Sequence, residues 1–246
     1  MKIDERVHLL ASGAQGVRMT HDLDCNVYLL NGGTEYALID AGVGDSVQQV
    51  EAAMIADGLD PRKLRYILLT HGHLDHSGAC HAIYERSKCQ VICSNLTANA
   101  LENGDEDAIH LRVAKEVGAY PAHYRLTPCP VKQRVADGDS FQVGDCHVTA
   151  LLTPGHSKDM TSFLVRYNRR TLFFCGDTIF HGGKILLMNV ADCSVQDYAG
   201  TIRRLGELRL EAFFPGHLLW VLRDGDSHIK TALSYMDKFL FPPNIL

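Results

Sequence analysis

The sequence predicts an α/β fold of four layers, an αββα sandwich in which two β-sheets carry helices on their outer faces. Its apolar runs are short, often β-branched, and separated by Gly, Asp and Asn turns, which is typical of strands. The runs form two blocks of strands and helices, with a polar, helix-permissive stretch between the blocks. Two sheets with helices outside both would bury this pattern of apolar faces.

The first block reads as strands joined by short turns, followed by helices. Asn31-Gly32-Gly33 has the composition of a hairpin turn. Ser46–Ile55 has helical periodicity and ends at Gly58. A second helix is expected at Cys80–Ser87. The expected strands are Val7–Leu10, Val17–Thr20, Asn26–Leu30, Tyr36–Ile39, Tyr66–Thr70 and Cys89–Cys93.

Residues 95–135 differ in character from both blocks. Asn95–Val117 is polar and permits helix, and Gly118 has the properties of a helix stop. Three prolines follow and favour an irregular crossing segment. We therefore expect a helical insertion that serves as a lid, within a single domain that covers residues 1–246.

The second block again consists of short strands and amphipathic helices. An amphipathic helix is expected at Ser194–Leu208, with Ser194 as its N-cap, and a closing helix at Ser227–Leu240. The expected strands are Ser140–Val143, His147–Leu152, Thr161–Tyr167, Thr171–Cys175 and Glu211–Phe214.

Composition and charge exclude several classes of protein. Hydrophobic residues make up 46% and the net charge is -5, so we expect a globular protein with a sizeable core and no nucleic-acid partner. The N-terminus lacks the apolar core of a signal peptide, and no apolar run reaches the roughly 18 residues that span a bilayer, so no membrane partner is expected. Eight cysteines without a C-x-x-C pair indicate buried thiols in a reducing compartment, hence a cytoplasmic location.

The apolar closing helix and Phe239–Pro243 favour a homodimer, because exposed apolar surface is typical of protein–protein contacts.

The unusual feature is a histidine cluster directly after an apolar strand. His71, His73, Asp75 and His76 place four metal-competent side chains within one short motif. Imidazole together with carboxylate suits zinc, iron or manganese, and a strand end holds ligands rigidly. The alternative is a histidine-rich turn on the surface.

Three later residues favour a metal site over a surface turn. His156, Asp177 and His217 each follow an apolar strand on a glycine turn, where the backbone can bend tightly. If these strand ends share one edge of the packed sheets, all seven side chains can meet at one place.

The motifs T-H-G-H-L-D-H-S-G, T-P-G-H-S, G-D-T and P-G-H resemble those of the metallo-β-lactamase superfamily, in the same order and over nearly the whole chain. The resemblance implies the metallo-β-lactamase fold and two divalent metal ions, zinc first, with manganese or iron as alternatives. It assigns His71, His73 and His156 to one ion, Asp75, His76 and His217 to the second, and Asp177 to a bridge between them.

Two divalent ions about 3.5–4 Å apart can share a hydroxide at neutral pH, which would attack a carbonyl carbon or a phosphorus. Asp75 is expected to bind the second ion and to orient this nucleophile as the catalytic residue. Asp40 matches a recurring acidic position of the family and is expected to support a ligand histidine, the alternative being a turn-forming aspartate. His181 could line the pocket or assist the leaving group, and His21 could reach the pocket mouth; ordinary loop positions are the alternatives.

The branch of the superfamily decides the chemistry. True β-lactamases of this fold usually lack the bridging aspartate, so Asp177 points to thioesterases, lactonases, phosphodiesterases, nucleases and sulfur dioxygenases. The chain ends soon after His217, where glyoxalase II-like enzymes add a glutathione-binding domain, and it has Phe180 where quorum-signal lactonases have tyrosine. We expect hydrolysis of a small ester, thioester or lactone by the metal-bridging hydroxide, with residues 95–135 setting specificity.

Three alternatives remain open at this point. A mononuclear iron sulfur dioxygenase could use only His71, His73 and His156. A phosphodiesterase could share both the fold and the metal site, because fold and site alone do not choose the substrate. A sensor without catalytic activity could retain the metals and bind a ligand.

Overall fold

A computed structural model describes residues 1–245, which divide into two compact units, Met1–Val135 and Ala136 onwards. Each unit is built on one β-sheet with its own helices and is described by itself. The expectation of a single domain with a lid at residues 95–135 stays a prediction. Within residues 1–245, no helix combines the length and the apolar character needed to cross a bilayer.

The sheet of the first unit has six strands in sequence order. The first three strands are antiparallel neighbours, and the third to the sixth are parallel. Parallel strands need crossover connections, which explains why the helices begin after the third strand. The strands are β1 (Val7–Ala11), β2 (Val27–Asn31), β3 (Tyr36–Ile39), β4 (Leu64–Leu68), β5 (Gln90–Ser94) and β6 (Gln133–Val135).

Five α-helices and one short 3₁₀ helix, Pro61–Lys63, accompany this sheet. The helices expected at residues 46–55 and 80–87 are confirmed, and residues 95–117, which permit helix, contain two short helices. Ser94 caps the first of these two by accepting a hydrogen bond from the N–H of Thr97, and Gly104 ends it in the left-handed region at φ 63°. The helices are α1 (Val47–Ala56), α2 (Leu74–Ser77), α3 (Cys80–Ser87), α4 (Asn95–Asn103) and α5 (Leu111–Glu116).

The strand expected at Val17–Thr20 is wrong. This segment is a loop in which the N–H of Val17 donates to Ser12 Oγ at 2.9 Å, and the hydroxyl of Thr20 donates to Asp24 at 2.6 Å. Arg18 takes a left-handed φ of 53°, which lies outside the extended region that regular strands occupy. Local side-chain hydrogen bonds therefore replace the ladder that the apolar alternation predicted.

The second unit contains a five-stranded sheet in the order β11-β10-β9-β8-β7. Strands β7 to β10 are antiparallel neighbours, and β10 and β11 are parallel. The strands are β7 (Ser140–Val143), β8 (Cys146–Leu152), β9 (Thr161–Tyr167), β10 (Arg170–Gly176) and β11 (Ala212–Pro215).

Two α-helices accompany this sheet, together with the short 3₁₀ helix His181–Gly183. Helix α6 (Val195–Leu205) starts at Ser194, whose hydroxyl accepts a hydrogen bond from the N–H of Asp197, so the expected N-cap is confirmed. Helix α7 (Asp226–Met236) ends before the expected Leu240, since the chain turns through a left-handed Phe239 with φ 59°.

The strand directions place the candidate ligands. In the first unit β3 and β4 are parallel, so Asp40 and His71 follow them at the same edge of the sheet. In the second unit β8, β10 and β11 run in one direction, because β9 is antiparallel to both β8 and β10. His156, Asp177 and His217 follow these three strands and therefore share an edge as well.

Candidate metal centre

The first unit gathers four of the expected ligands on one turn. His71 follows β4 and is fully buried, and helix α2 starts from His73 and carries Asp75 and His76 on its single turn. His71 Nε2 lies 3.0 Å from His73 Nδ1, and the rings of His71 and His76 are 4.1 Å apart. His76 Nε2 lies 3.4 Å from Asp75 Oδ2. Three imidazoles and one carboxylate thus converge within the unit.

Buried Asp40 fixes the ring of His76. Asp40 Oδ2 lies 2.8 Å from His76 Nδ1, and since a carboxylate only accepts hydrogen bonds, Nδ1 is the donor and Nε2 keeps its lone pair. Asp40 also accepts from the N–H of Thr70 at 2.8 Å and from its hydroxyl at 2.9 Å. Asp40 is held at a left-handed φ of 63°, a conformation that aspartate tolerates better than most residues.

Thr70 extends this network to His71. Its hydroxyl proton is engaged by Asp40, so the oxygen accepts from His71 Nδ1, which lies 3.0 Å away. The buried thiol of Cys25 joins Asp40 and His76 in a group whose atoms lie within 4.8 Å of one another. Burial raises the pKa of Cys25 to about 12, so the sulfur remains a protonated thiol at neutral pH.

Tyr120 reaches the same cluster from the middle segment of the unit. Its hydroxyl donates to Asp75 Oδ1 at 3.0 Å. Burial, followed by the negative charge of Asp75, raises the pKa of Tyr120 well above its ordinary value. Neither Tyr120 nor Cys25 is predicted from the sequence, because neither belongs to a motif.

The second unit gathers the other three expected ligands around one carboxylate oxygen. Asp177 Oδ2 lies 3.6 Å from His156 Nε2 and 3.5 Å from His217 Nε2. All three side chains are buried. His156 Nδ1 donates to the carbonyl of Leu186 at 3.1 Å, so Nε2 keeps its lone pair.

Tyr198 supports this half of the cluster from helix α6. Its hydroxyl lies 3.1 Å from the backbone carbonyls of both Asp177 and Leu186, either of which can accept its proton, and it accepts from the N–H of Leu186 at 3.3 Å. Burial raises the pKa of Tyr198 well above its ordinary value. Gly155, next to His156, packs so closely on this ring that an added Cβ would lie 2.6 Å from Tyr198 Cγ.

Of the two remaining expected residues, His21 lies in a loop and His181 begins the short 3₁₀ helix His181–Gly183. His181 is exposed and packs on His228 with ring centroids 4.6 Å apart. His21 Nδ1 accepts from the N–H of Leu23 at 3.2 Å, and its Nε2 lies 3.8 Å from Asp45. The ring centroid of Phe180 lies 6.3 Å from that of His217.

The residues present fit divalent metal ions. Ligands about 2.0–2.2 Å from a tetrahedral ion lie about 3.3–3.6 Å apart, because a tetrahedral edge is about 1.63 times the bond length. The separations of 3.4, 3.5 and 3.6 Å between imidazole nitrogens and carboxylate oxygens match that spacing and exceed an ordinary hydrogen bond. His76 and His156 each engage Nδ1 with a protein oxygen and present Nε2 as the ligand atom, which is the usual arrangement at protein metal sites. His71 engages Nδ1 with Thr70 in the same way, and its Nε2 faces His73 Nδ1 at 3.0 Å.

Comparison with known proteins places the chain among related sequences. The family described as "Metallo-beta-lactamase superfamily" matches residues 21–217. The chain is 29% identical over 193 residues to the atrochrysone carboxyl ACP thioesterase of Aspergillus fumigatus, covering 78% of this chain and 50% of that protein. It is 29% identical over 208 residues to the acyl-coenzyme A thioesterase MBLAC2 of Gallus gallus, covering 78% of this chain and 72% of that protein.

Solved structures show the same fold. The metallo-β-lactamase of Cronobacter sakazakii with a mutated HARLDQ motif matches with a TM-score of 0.67 at 24% identity, over 88% of this chain and 79% of that one. BJP-1, a subclass B3 metallo-β-lactamase of Bradyrhizobium japonicum, matches with a TM-score of 0.67 at 20% identity, over 87% of this chain and 86% of that one. The fold class predicted from the sequence is therefore confirmed.

Proposed function

Because the chain belongs to the metallo-β-lactamase superfamily, we propose that it is a metal-dependent hydrolase that cleaves thioesters of small acyl groups. The sequence leaves ester, thioester and lactone open, and the two relatives named as thioesterases support the thioester. The chain spans half the length of the fungal relative, so the activity of the whole protein is part of the proposal.

The proposal includes two divalent ions, with zinc as the first choice and manganese or iron as alternatives. One ion is assigned to His71, His73 and His156, and the second to Asp75, His76 and His217. The observation that carries this assignment is the position of Asp177 Oδ2, which lies 3.6 Å and 3.5 Å from the Nε2 atoms of His156 and His217. A carboxylate between two histidines assigned to different ions is suited to bridge them.

Two bound ions would supply an ionised water as nucleophile at neutral pH and positive charge for the oxyanion that develops on the thioester carbonyl. The residues of the chain supply orientation. Asp40 and the Leu186 carbonyl hold the rings of His76 and His156 through Nδ1 and keep each Nε2 lone pair available. Asp75 is the proposed catalytic residue that orients the nucleophile.

The decisive experiment combines metal analysis with a substrate panel. The purified protein is reconstituted with zinc, manganese or iron(II), and metal content is measured by mass spectrometry. Turnover is then measured on acyl-coenzyme A and acyl-pantetheine thioesters, an aryl ester, a lactone, a phosphodiester and a β-lactam. We expect two ions per chain and the highest kcat/KM on a thioester.

Asp177→Asn is the test variant, and Asp237→Asn, at an exposed position, is the matched control. We expect Asp177→Asn to bind fewer ions and to lose turnover, while the control keeps both. One iron per chain with oxygen uptake on a persulfide would instead identify a dioxygenase. Full metal content without turnover on any substrate would identify a sensor.

Other expectations stay predictions. They include the lid role of residues 95–135, the homodimer, the cytoplasmic location, and the pocket roles of His21 and His181.

A further inference from the structure

We propose that Tyr120 is a positioning residue that holds Asp75 in the orientation in which one carboxylate oxygen serves a metal ion. This inference rests on the proposed metal-dependent function and adds to it a residue from outside the motifs. Because Tyr120 lies within residues 95–135, the inference also assigns this segment a role in positioning a metal ligand.

The two oxygens of Asp75 have different neighbours. Oδ1 accepts a hydrogen bond from the Tyr120 hydroxyl at 3.0 Å. Oδ2 lies 3.4 Å from His76 Nε2, a separation that suits two ligands of one ion. The tyrosine therefore engages Oδ1, and Oδ2, the oxygen beside His76 Nε2, is the one that would bind the proposed ion.

Tyr120 is itself held in place by its surroundings. Its N–H donates to the carbonyl of Ala114 at 3.3 Å, which ties it to the end of helix α5. Its ring packs against the hydrophobic core of the first unit and meets the ring of Tyr124 edge-on, with centroids 6.0 Å apart. A side chain fixed at both its backbone and its ring can hold a carboxylate at little further loss of conformational entropy.

Tyr124 provides a matched control. It is close in sequence, lies in the same segment and packs on the same ring, but its hydroxyl donates to Asp45 rather than to a proposed ligand. Removing either hydroxyl leaves the aromatic packing in place. Only the loss of the Tyr120 hydroxyl should change metal binding.

The test compares Tyr120→Phe with Tyr124→Phe by chelator competition for zinc and by thermal unfolding of the metal-free proteins. We expect the affinity for one of the two zinc ions, the one assigned to Asp75, to fall about 10–100-fold in Tyr120→Phe, as is usual when a partner of a ligand is lost. The other ion should bind as in the wild type. The Tm of the metal-free Tyr120→Phe protein should stay within the range of the Tyr124→Phe control.

A double-mutant cycle ties the effect to the carboxylate. In an Asp75→Ala background, Tyr120→Phe should produce no further loss of affinity, since the group that it positions is gone. Tyr120→Leu, which also lacks the hydroxyl and needs less room, is the second variant and should show the same fall as Tyr120→Phe.

Three results would overturn the inference. These are wild-type zinc affinities in both Tyr120 variants, an equal loss for both ions together with a lower Tm of the metal-free protein, or an undiminished loss in the Asp75→Ala background. Failure of the proposed function looks different, because the wild-type protein itself would then bind no zinc or would bind zinc without hydrolysing any substrate.

Discussion

Replacing Asp40 by asparagine changes one buried charge without changing the shape of the side chain. Asp40 accepts hydrogen bonds from Thr70 and from His76 Nδ1, the latter at 2.8 Å. Asparagine also tolerates the left-handed φ of 63° at this position, so the backbone adds no strain of its own. The substitution therefore isolates the effect of the carboxylate on the imidazole of His76.

The asparagine amide must place a donor next to one of these two partners. If its oxygen stays on Thr70, its NH₂ group faces His76 Nδ1, which must then give up its proton and accept. The proton moves to Nε2, the atom proposed to bind metal. In the metal-free protein a neutral hydrogen bond replaces a charged one, so we expect a loss of only about 1–2 kcal/mol in the free energy of unfolding.

The substitution should lower zinc affinity more strongly than it lowers the free energy of unfolding. The altered tautomer has to be reversed before His76 can ligate, and we expect zinc affinity to fall about 10–100-fold. The assays are chelator competition for zinc and urea denaturation of the metal-free protein. Asp57→Asn is the matched control, because Asp57 Oδ2 lies 2.7 Å from the Nδ1 of buried His8.

The control separates the loss of an aspartate–histidine pair from the loss of a ligand's support. Asp57→Asn should lower the free energy of unfolding and leave zinc affinity unchanged. Wild-type zinc affinity in Asp40→Asn would refute the reasoning. So would an equal loss of affinity in both variants, since the effect would then be a general consequence of destabilisation.

Three further substitutions test the second unit by urea denaturation. Gly155→Ala adds a Cβ 2.6 Å from Tyr198 Cγ at a φ of +154°, and we expect a loss of roughly 1–3 kcal/mol in the free energy of unfolding. Tyr198→Phe removes the hydroxyl that contacts the Asp177 carbonyl and should cost less, about 0.5–1.5 kcal/mol. Burial, followed by the charge of His181, lowers the pKa of His228 below 6.5. Just below pH 6.5, His228 is therefore protonated more in the unfolded chain than in the native state. The free energy of unfolding should fall as the pH drops from 6.5 through the native pKa of His228. His228→Gln should flatten this part of the stability–pH curve.

The outcomes that would contradict these expectations are specific. A Gly155→Ala protein as stable as the wild type would mean that the ring of Tyr198 can move away without loss. A Tyr198→Phe protein less stable than Gly155→Ala would reverse the ranking of packing over hydrogen bonding. An unchanged pH profile in His228→Gln would assign the acid sensitivity to other groups.

The candidate ligands could be predicted because their positions depend on local features. Each follows an apolar strand, and strand direction brings such positions to one edge of a sheet within each unit. That Asp40 supports a ligand histidine was implied by the family resemblance alone. The parallel pairing of β3 and β4 explains why that histidine is His76. The identities of the partners of His71 and His156 could not be predicted, because a hydroxyl and a backbone carbonyl leave no sequence signature.

The errors have a different physical origin. Apolar and polar residues alternate along Val17–Thr20, as in a strand. The hydroxyl of Ser12, however, accepts a hydrogen bond from the N–H of Val17, and hydrophobic periodicity does not predict such a bond. Tyr120 contacts Asp75 across 45 residues of chain, from an irregular segment rich in proline. A contact of this range depends on tertiary packing, which a single sequence does not specify at the level of one hydroxyl group.

The hydrogen bond between Tyr120 and Asp75 also matters for protein engineering. Exchanging residues 95–135 for the equivalent stretch of a relative would test the prediction that these residues set substrate preference. Such a transplant would also replace the hydroxyl group that holds Asp75. A chimera that omits a donor at this point should show weakened zinc retention, which could be mistaken for an unsuitable substrate, so tyrosine at position 120 should be kept in every graft.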